Sequence, residues 1–239
     1  MPSEAQKRDI CELNSEELSE ILINEFSEKR FRATQIYEWL HKKKAADFSD
    51  MTNISKDLRE RLSEAFRITV MEPVEILTSK KDGTKKYIMG LYDNNVIESV
   101  FMKYKHGNSV CISSQVGCRM GCSFCASTID GLVRNLSAAE MLAQIYAIER
   151  DTGERVSNIV VMGSGEPLDN YDELVRFVRM ISDDRGLNIS QRNITVSTCG
   201  LVPPHKAAFG GGASDNTGPV AACSQSGRKG KAHARCKGI

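Results

Sequence analysis

The sequence predicts an α/β protein: a small N-terminal helical domain, a β-hairpin linker region, and the first part of a (β/α) barrel. Three observations carry that expectation. Apolar residues recur at helical spacing through the first 66 positions. The pattern changes to short strands from Ile68 to Met102, and from Val110 onward strand-like and helix-like stretches alternate. Repeated β-α units imply a parallel sheet with its chemistry in the loops that follow the strands.

The helical module comes first. Leu18, Ile21, Leu22 and Phe26 form one apolar stripe, and Ile36, Trp39 and Leu40 a second. Leu58, Leu62 and Phe66 form a third, behind Ser55 as N-cap. Taken alone, such a trio predicts a compact helical module with no particular binding role. Next, Val74–Thr78 and Lys86–Tyr92 flank the Lys81–Thr84 turn, which is a hairpin signal. The Asp93-Asn94-Asn95 turn then leads into a strand over Val96–Met102. Glu98 sits inside that apolar run, where a carboxylate is costly without a partner.

A strand from Val110 leads into a cysteine-rich loop. Ser137-Ala-Ala-Glu140 is a capping box opening a helix with Leu142, Ile145 and Tyr146 on one face. A buried strand, Ile159–Met162, precedes a glycine-rich loop and a helix carrying Leu174, Val175, Phe177, Val178 and Ile181. Asn193–Ser197 is a further strand. The domain boundaries that follow are 1–67 for the helical module, 68–104 for the strand linker, 105–204 for the barrel portion and 205–239 for an atypical tail.

Hydrophobic and charged fractions of 41% and 26% are those of an ordinary soluble globular protein. No apolar run approaches the roughly 18 residues of a membrane span. The first residues have no apolar core of the kind a secretion signal needs, so a cytoplasmic location without a membrane partner is expected. The net charge of +1 hides an asymmetry. Residues 205–239 hold six of the 32 basic and one of the 31 acidic residues, leaving 26 basic against 30 acidic, a net of −4. Any nucleic-acid surface must therefore come from local patches.

Three of the eight cysteines fall within Cys118-Arg-Met-Gly-Cys122-Ser-Phe-Cys125, with Cys111 shortly before them. Such clustering argues for metal or redox chemistry. Three thiolates on one short loop can ligate three irons of a cubane cluster and leave the fourth open to a small molecule. The competing reading is a zinc knuckle completed by Cys111 or a remote histidine, which would make a zinc-stabilised, non-catalytic RNA-binding protein. Zinc loops favour paired Cys-x-x-Cys motifs, and no second pair is present. Read in isolation, Cys111 is a buried strand cysteine and Glu98 a salt-bridged strand carboxylate. Gly-x-Gly-Glu-Pro around Gly165 and Glu166 is a weak motif, and Ser197 is a capping or turn serine.

The cysteine spacing resembles the radical S-adenosylmethionine (SAM) superfamily. There SAM chelates the open iron and is cleaved reductively to a 5′-deoxyadenosyl radical. The flanking residues resemble, more narrowly, the RlmN/Cfr family of RNA adenine methyltransferases. They are Gly107-Asn-Ser-Val-Cys-Ile-Ser-Ser-Gln-Val-Gly-Cys118, Cys125-Ala-Ser-Thr, Met162-Gly-Ser-Gly-Glu-Pro-Leu-Asp-Asn170 and Val196-Ser-Thr-Cys-Gly-Leu-Val-Pro203. In the helical module they are Phe31-Arg-Ala-Thr-Gln-Ile-Tyr-Glu-Trp-Leu40 and Met51-Thr-Asn-Ile-Ser-Lys-Asp-Leu-Arg-Glu60.

This resemblance implies a partial radical SAM barrel with a [4Fe-4S] cluster on Cys118, Cys122 and Cys125. It implies SAM contacts from Gly165, Glu166 and Ser197. It makes Cys111 the thiol that resolves a covalent protein–RNA intermediate through a disulfide, and Glu98 the proton acceptor. The implied reaction methylates a C-terminal cysteine with one SAM and activates that methyl group with a second. Transfer to adenine C2 in 23S rRNA and tRNA follows, and Cfr-type relatives modify C8 instead. An electron donor such as flavodoxin with flavodoxin reductase is implied as a partner, and a monomer is expected.

After Pro204 the resemblance stops. The tail holds seven of the 18 glycines and shows no helix or strand period. A basic tail that grips RNA is one reading. The other is a shifted reading frame, in which permitted codons can spell an amphipathic helix, a buried strand and a Ser-Leu-His loop. The tail is accordingly expected to be a frameshift product. The chain is expected to lack the later barrel strands and the methyl-carrying cysteine, and so to be unable to complete methyl transfer. Cys223, within Ala221-Ala-Cys-Ser-Gln225, is not assigned that carrier role.

Overall fold

A computed structural model of the chain describes residues 7–201 and 221–224. The fold consists of two units. One holds the chain up to Val70 together with Arg179–Asn188, and the other holds Met71–Val178 and the chain from Ile189.

In the first unit β1 (Arg8–Asp9) precedes α1 (Ser15–Asn24), α2 (Arg30–His41) and α3 (Lys56–Ala65). β2 (Phe66–Arg67) then pairs in parallel with β1. Asn14 and Glu17 form a capping box on α1, and the expected Ser55 cap accepts from the Leu58 amide of α3. Leu18, Leu22, Phe26, Ile36, Leu40, Leu58, Leu62 and Phe66 are buried, as their spacing requires. Trp39 is not part of that core. The buried stripe of α2 runs through Ala33, Ile36, Tyr37 and Leu40, at i, i+3, i+4 and i+7. Trp39 falls beside it, donates its indole N–H to Asn53, and lies under the Lys43 ammonium at 3.5 Å.

The return of Arg179–Asn188 to this unit is not visible in the sequence pattern. It sets Arg185 over the Tyr37 ring at 5.8 Å, while Tyr37 meets His41 in a tilted contact with centroids 4.3 Å apart. Burial depresses the His41 imidazole to about 4, against a smaller opposing pull from Asp183.

The second unit opens with β3 (Pro73–Thr78), β4 (Lys85–Gly90), β5 (Val96–Tyr104) and β6 (Gly107–Ile112), each antiparallel to the one before. β7 (Gln115–Gly117) and β8 (Leu132–Asn135) pair with each other and frame the cysteine loop. Then come α4 (Ala138–Thr152), β9 (Asn158–Val161), α5 (Tyr171–Ile181), β10 (Ile194–Thr198) and β11 (Ala221–Ser224). Among the described residues the main sheet has seven strands in the order β11-β10-β9-β6-β5-β4-β3, with β6, β9, β10 and β11 parallel.

This is the expected α/β partial barrel, an open sheet with helices in its crossovers. Two details differ from the sequence pattern. The hairpin region is continuous with the barrel sheet, because the edge of β6 away from β9 is filled by β5. The tail, expected to hold no strand, supplies β11, whose backbone occupies the free edge of β10. Its remaining residues lie outside the described ones.

The two sheet faces differ sharply. Ile97, Ser99 and Phe101 of β5, Val110 and Ile112 of β6, Ile159 and Val161 of β9, and Ile194 and Val196 of β10 are buried. Helix α4 covers this face, and it opens with the predicted capping box of Ser137 and Glu140. The opposite face is set by direct register partners: Val100 with Cys111, Cys111 with Val160, and Val160 with Thr195. Glu98 and Ser197 lie two residues along their strands from members of that row, so they share the face.

Candidate cluster and SAM site

The loops that follow β6, β9 and β10 make the site. Beneath them, one carboxamide of α4 holds the β6 end. Gln144 Oε1 accepts from the Ser113 amide at 2.9 Å and the Ser99 hydroxyl at 2.8 Å, while its Nε2 donates to the Ser113 carbonyl at 3.0 Å. The Ser113 hydroxyl donates to the Glu98 carbonyl at 2.8 Å and accepts from the Ser164 amide at 2.9 Å. Strands β5 and β6 and the loop after β9 are thereby pinned together by two buried polar side chains. Gly163 belongs to this contact, since a Cβ there would lie 2.5 Å from Ser113 Oγ.

The cysteine loop turns on Gly117, at φ +72°. A Cβ at Gly117 would fall 2.0 Å from the Gly131 carbonyl oxygen. That carbonyl accepts the Cys118 amide at 2.9 Å, closing the loop at its base. Within it the Cys125 amide donates to the Cys122 carbonyl at 3.1 Å, and the Thr128 hydroxyl donates to the Cys125 carbonyl at 2.9 Å. Cys118 is buried, and Cys122 and Cys125 are half-buried. Burial pushes the Cys118 thiol up, against a hydrogen bond with the Met120 backbone that lowers it.

The donor set fits a cubane cluster, with one thiolate for each of three irons. Among the described residues no three His, Cys, Asp or Glu side chains, the loop cysteines included, are placed close enough together to hold one metal ion. A further thiol, Cys199, stands near enough to Cys122 to feel its charge. Desolvation, with its hydrogen bond to Glu166, pushes it up to about 11 and keeps it protonated at neutral pH.

Gly165 and Glu166 follow β9. Gly165 has φ +104°, and a Cβ there would meet Gln115 Cβ at 2.5 Å. Glu166 is only 3% exposed. Its amide donates to Gln115 Oε1 at 2.8 Å, and its carboxylate accepts the Leu168 amide at 3.0 Å and the Cys199 amide at 2.7 Å. The β9 and β10 loops therefore meet at this one carboxylate, which retains further lone pairs for a ligand.

Gln115 Nε2 donates to Asn135 Oδ1 at 2.8 Å and to Asp169 Oδ2 at 3.0 Å. Asp169 takes a two-pronged contact from Arg119, with Nε at 2.8 Å and Nη2 at 2.6 Å. Asn170 Nδ2 bridges the Ser114 and Leu136 carbonyls at 2.9 and 2.7 Å.

Glu98 is the salt-bridged strand carboxylate of its reading in isolation: it is 57% exposed and pairs with Lys86 at 2.6 Å. The strand alternates, and Glu98 takes the face away from α4. Cys111 shares that face, with its thiol pushed up by burial. Ser197 is half-buried there. The site residues thus fall into two sets, the loop group of Cys118, Cys122, Cys125, Gly165 and Glu166, and the sheet-face group of Glu98, Cys111 and Ser197. Sequence reasoning missed Gln115, Arg119, Gln144, Asp169, Asn170 and Cys199. Polar side chains directly after a buried strand, as in Ser113-Ser-Gln115, are the signal that could have found the first of them.

A parallel β/α sheet whose first parallel strand runs into a three-cysteine loop defines a radical SAM protein, and residues 112–209 match the radical SAM superfamily. Residues 8–68 match the ribosomal RNA large subunit methyltransferase N-terminal domain. The chain is similar over most of its length to RlmN proteins. It is 60% identical over 207 residues to a probable dual-specificity RNA methyltransferase RlmN from Lachnoclostridium phytofermentans, covering 87% of this chain and 58% of that protein. The corresponding protein of Lachnospira eligens is 59% identical, over 83% of this chain and 56% of its own. A radical SAM methyltransferase from Sphaerobacter thermophilus of known structure superposes with a TM-score of 0.75 at 40% identity, covering 81% of this chain and 57% of that one. The chain thus spans less than three fifths of the length of these relatives. The radical SAM match and this similarity imply a [4Fe-4S] cluster and SAM as cofactors. No helix among the described residues is long and apolar enough to cross a membrane.

Proposed function

We propose that this protein is a radical SAM methyltransferase acting on C2 of an adenine in 23S rRNA and in tRNA. The observation that carries the reading is the pairing register. It sets Glu98, Cys111 and Ser197 on one face of a sheet whose β6 leads directly into the cysteine loop. Cys118, Cys122 and Cys125 hold the cluster. When bound, the cluster and SAM supply a one-electron reductive cleavage that yields a hydrogen-abstracting radical.

The chain's own residues bind, orient and move protons. Gly165 lets the backbone approach SAM without a side chain in the way. Glu166 accepts a polar group of SAM while its amide contacts keep the loop fixed, and Ser197 supplies a hydroxyl contact. Glu98 accepts the proton released from the adenine carbon. Its carboxylate is exposed, with Lys86 as its partner. Cys111 is the thiol that resolves the protein–RNA intermediate by forming a disulfide. Residues 1–67 form an RNA-binding module, 68–104 a strand linker, 105–204 the barrel portion and 205–239 an atypical tail. A monomer in the cytoplasm, reduced by a flavodoxin with its reductase, completes the reading.

Anaerobic reconstitution of the purified chain tests it first. The expected product holds about four irons and four sulfides per chain, and loses them in Cys118→Ala, Cys122→Ala and Cys125→Ala. With dithionite and SAM, 5′-deoxyadenosine should form. Stoichiometric zinc without sulfide would overturn the cluster assignment. Because no methyl-carrying cysteine is assigned in residues 205–239, this chain is expected to cleave SAM without methylating RNA, and mass spectrometry showing a methylated adenine, at C2 or at C8, would overturn that expectation.

A further inference from the structure

We propose that Arg119 and Asp169 are positioning residues whose ion pair latches the cysteine loop to the Gly165–Glu166 loop, so that ordering either loop orders the other. The proposal rests on reading these as the cluster and SAM loops.

Arg119 immediately follows Cys118, and Asp169 lies three residues after Glu166. The two meet through both prongs of the guanidinium, at 2.8 and 2.6 Å. Such fork-to-fork geometry fixes orientation as well as distance. Asp169 Oδ2 also receives Gln115 Nε2 at 3.0 Å, and the carbonyl end of the same Gln115 amide accepts the Glu166 N–H at 2.8 Å. The carboxylate therefore holds Gln115 the right way round, because a flipped amide would offer it an acceptor and face the Glu166 N–H with a donor.

The relay runs Arg119 to Asp169 to Gln115 to Glu166, and it spans both loops without using a cysteine thiol. Asp169 is largely sheltered while Arg119 is open to solvent, with side-chain exposures of 12% and 60%. The pair can therefore open by moving the arginine alone. A loop that must admit a cluster and then hold it is well served by a latch of that kind.

A double-mutant cycle tests the latch in the chain as it exists. Arg119→Leu, Asp169→Asn and the double variant are compared by amide hydrogen exchange on the metal-free protein. They are compared again by the rate at which a chelator removes iron from the reconstituted protein. Each single variant is expected to speed exchange over Cys118–Thr128 and at the Glu166 amide about three- to tenfold, with matching loss of iron. The double variant should be no worse than either single, and α4 amides should be unmoved. Unchanged exchange, additive single effects, or a Glu166 amide indifferent to Arg119→Leu would each overturn the proposal. Failure of the wild type to take up iron with sulfide would instead overturn the cluster reading, and the metal-free exchange data would still decide the latch.

Discussion

Cys111 stands directly across the β5–β6 ladder from Val100, and Glu98 lies one two-residue step along β5 on the same face. A thiol and a carboxylate are thus presented side by side by backbone hydrogen bonding alone. Neither is part of the core, and the Glu98–Lys86 pair is open to solvent. Glu98→Gln and Cys111→Ser should therefore leave stability within about 1 kcal/mol of wild type. Urea denaturation of the two variants measures this. A loss above about 3 kcal/mol would show that these residues serve the fold.

Glu166 is the opposite case. It is buried, and two amide donors depend on its carboxylate. Glu166→Ala leaves the Leu168 and Cys199 amides without that acceptor and should cost about 2–4 kcal/mol. Glu166→Gln should recover part of it, since the amide oxygen can still accept. Equal midpoints for the two variants in denaturant would contradict this account.

Gly117 and Gly153 are both left-handed, at φ +72° and +66°, but only Gly117 is crowded. Gly153→Ala should cost about 1 kcal/mol, the backbone term alone. Gly117→Ala must also displace the Gly131 carbonyl that closes the cysteine loop. It should lower iron uptake on reconstitution, whereas Gly153→Ala should not. Full iron occupancy in Gly117→Ala would count against this picture of the loop base.

His41 predicts a pH response in the helical unit. Its folded value is depressed to about 4 by burial, below the unfolded value near 6.5. Between those values the unfolded chain binds the extra proton, so stability is fully present above about pH 6.5 and falls as the pH drops towards 4. The full difference is on the order of 3 kcal/mol. Denaturation followed through the Trp39 signal at pH 7 and pH 5 should show the decline, and His41→Phe should flatten it. A wild-type stability independent of pH in this window would refute the assignment.

The elements themselves were legible in the sequence because their signals are local. The Ser137–Glu140 capping box, the Ser55 cap and the stripes of α1 and α3 all lie within a turn or two of chain. Trp39 was misread because three apolar residues were matched to a stripe that actually runs through Tyr37. The cysteine loop and Gly-Ser-Gly-Glu-Pro were legible as motifs. What joins them was not: Gln115, Asp169 and Arg119 are polar residues whose partners lie 50 or more positions away in all three contacts. Continuity of the hairpin with the barrel, and the return of Arg179–Asn188 to the helical unit, depend likewise on long-range pairing that no short window contains.

The ladder that carries Glu98 and Cys111 also restricts how this wall can change. Neighbouring strands sit about 4.8 Å apart and same-face residues about 7 Å apart along a strand. A thiol and a carboxylate fixed to such a lattice can be re-spaced only by whole steps, through moving a residue by two positions or to the next strand. The loops above can drift gradually as their sequences change, but the wall cannot. Substrates that differ by a fraction of an ångström must therefore be told apart by the loops and by whatever RNA surface the rest of the protein offers, with the wall serving as a fixed ruler.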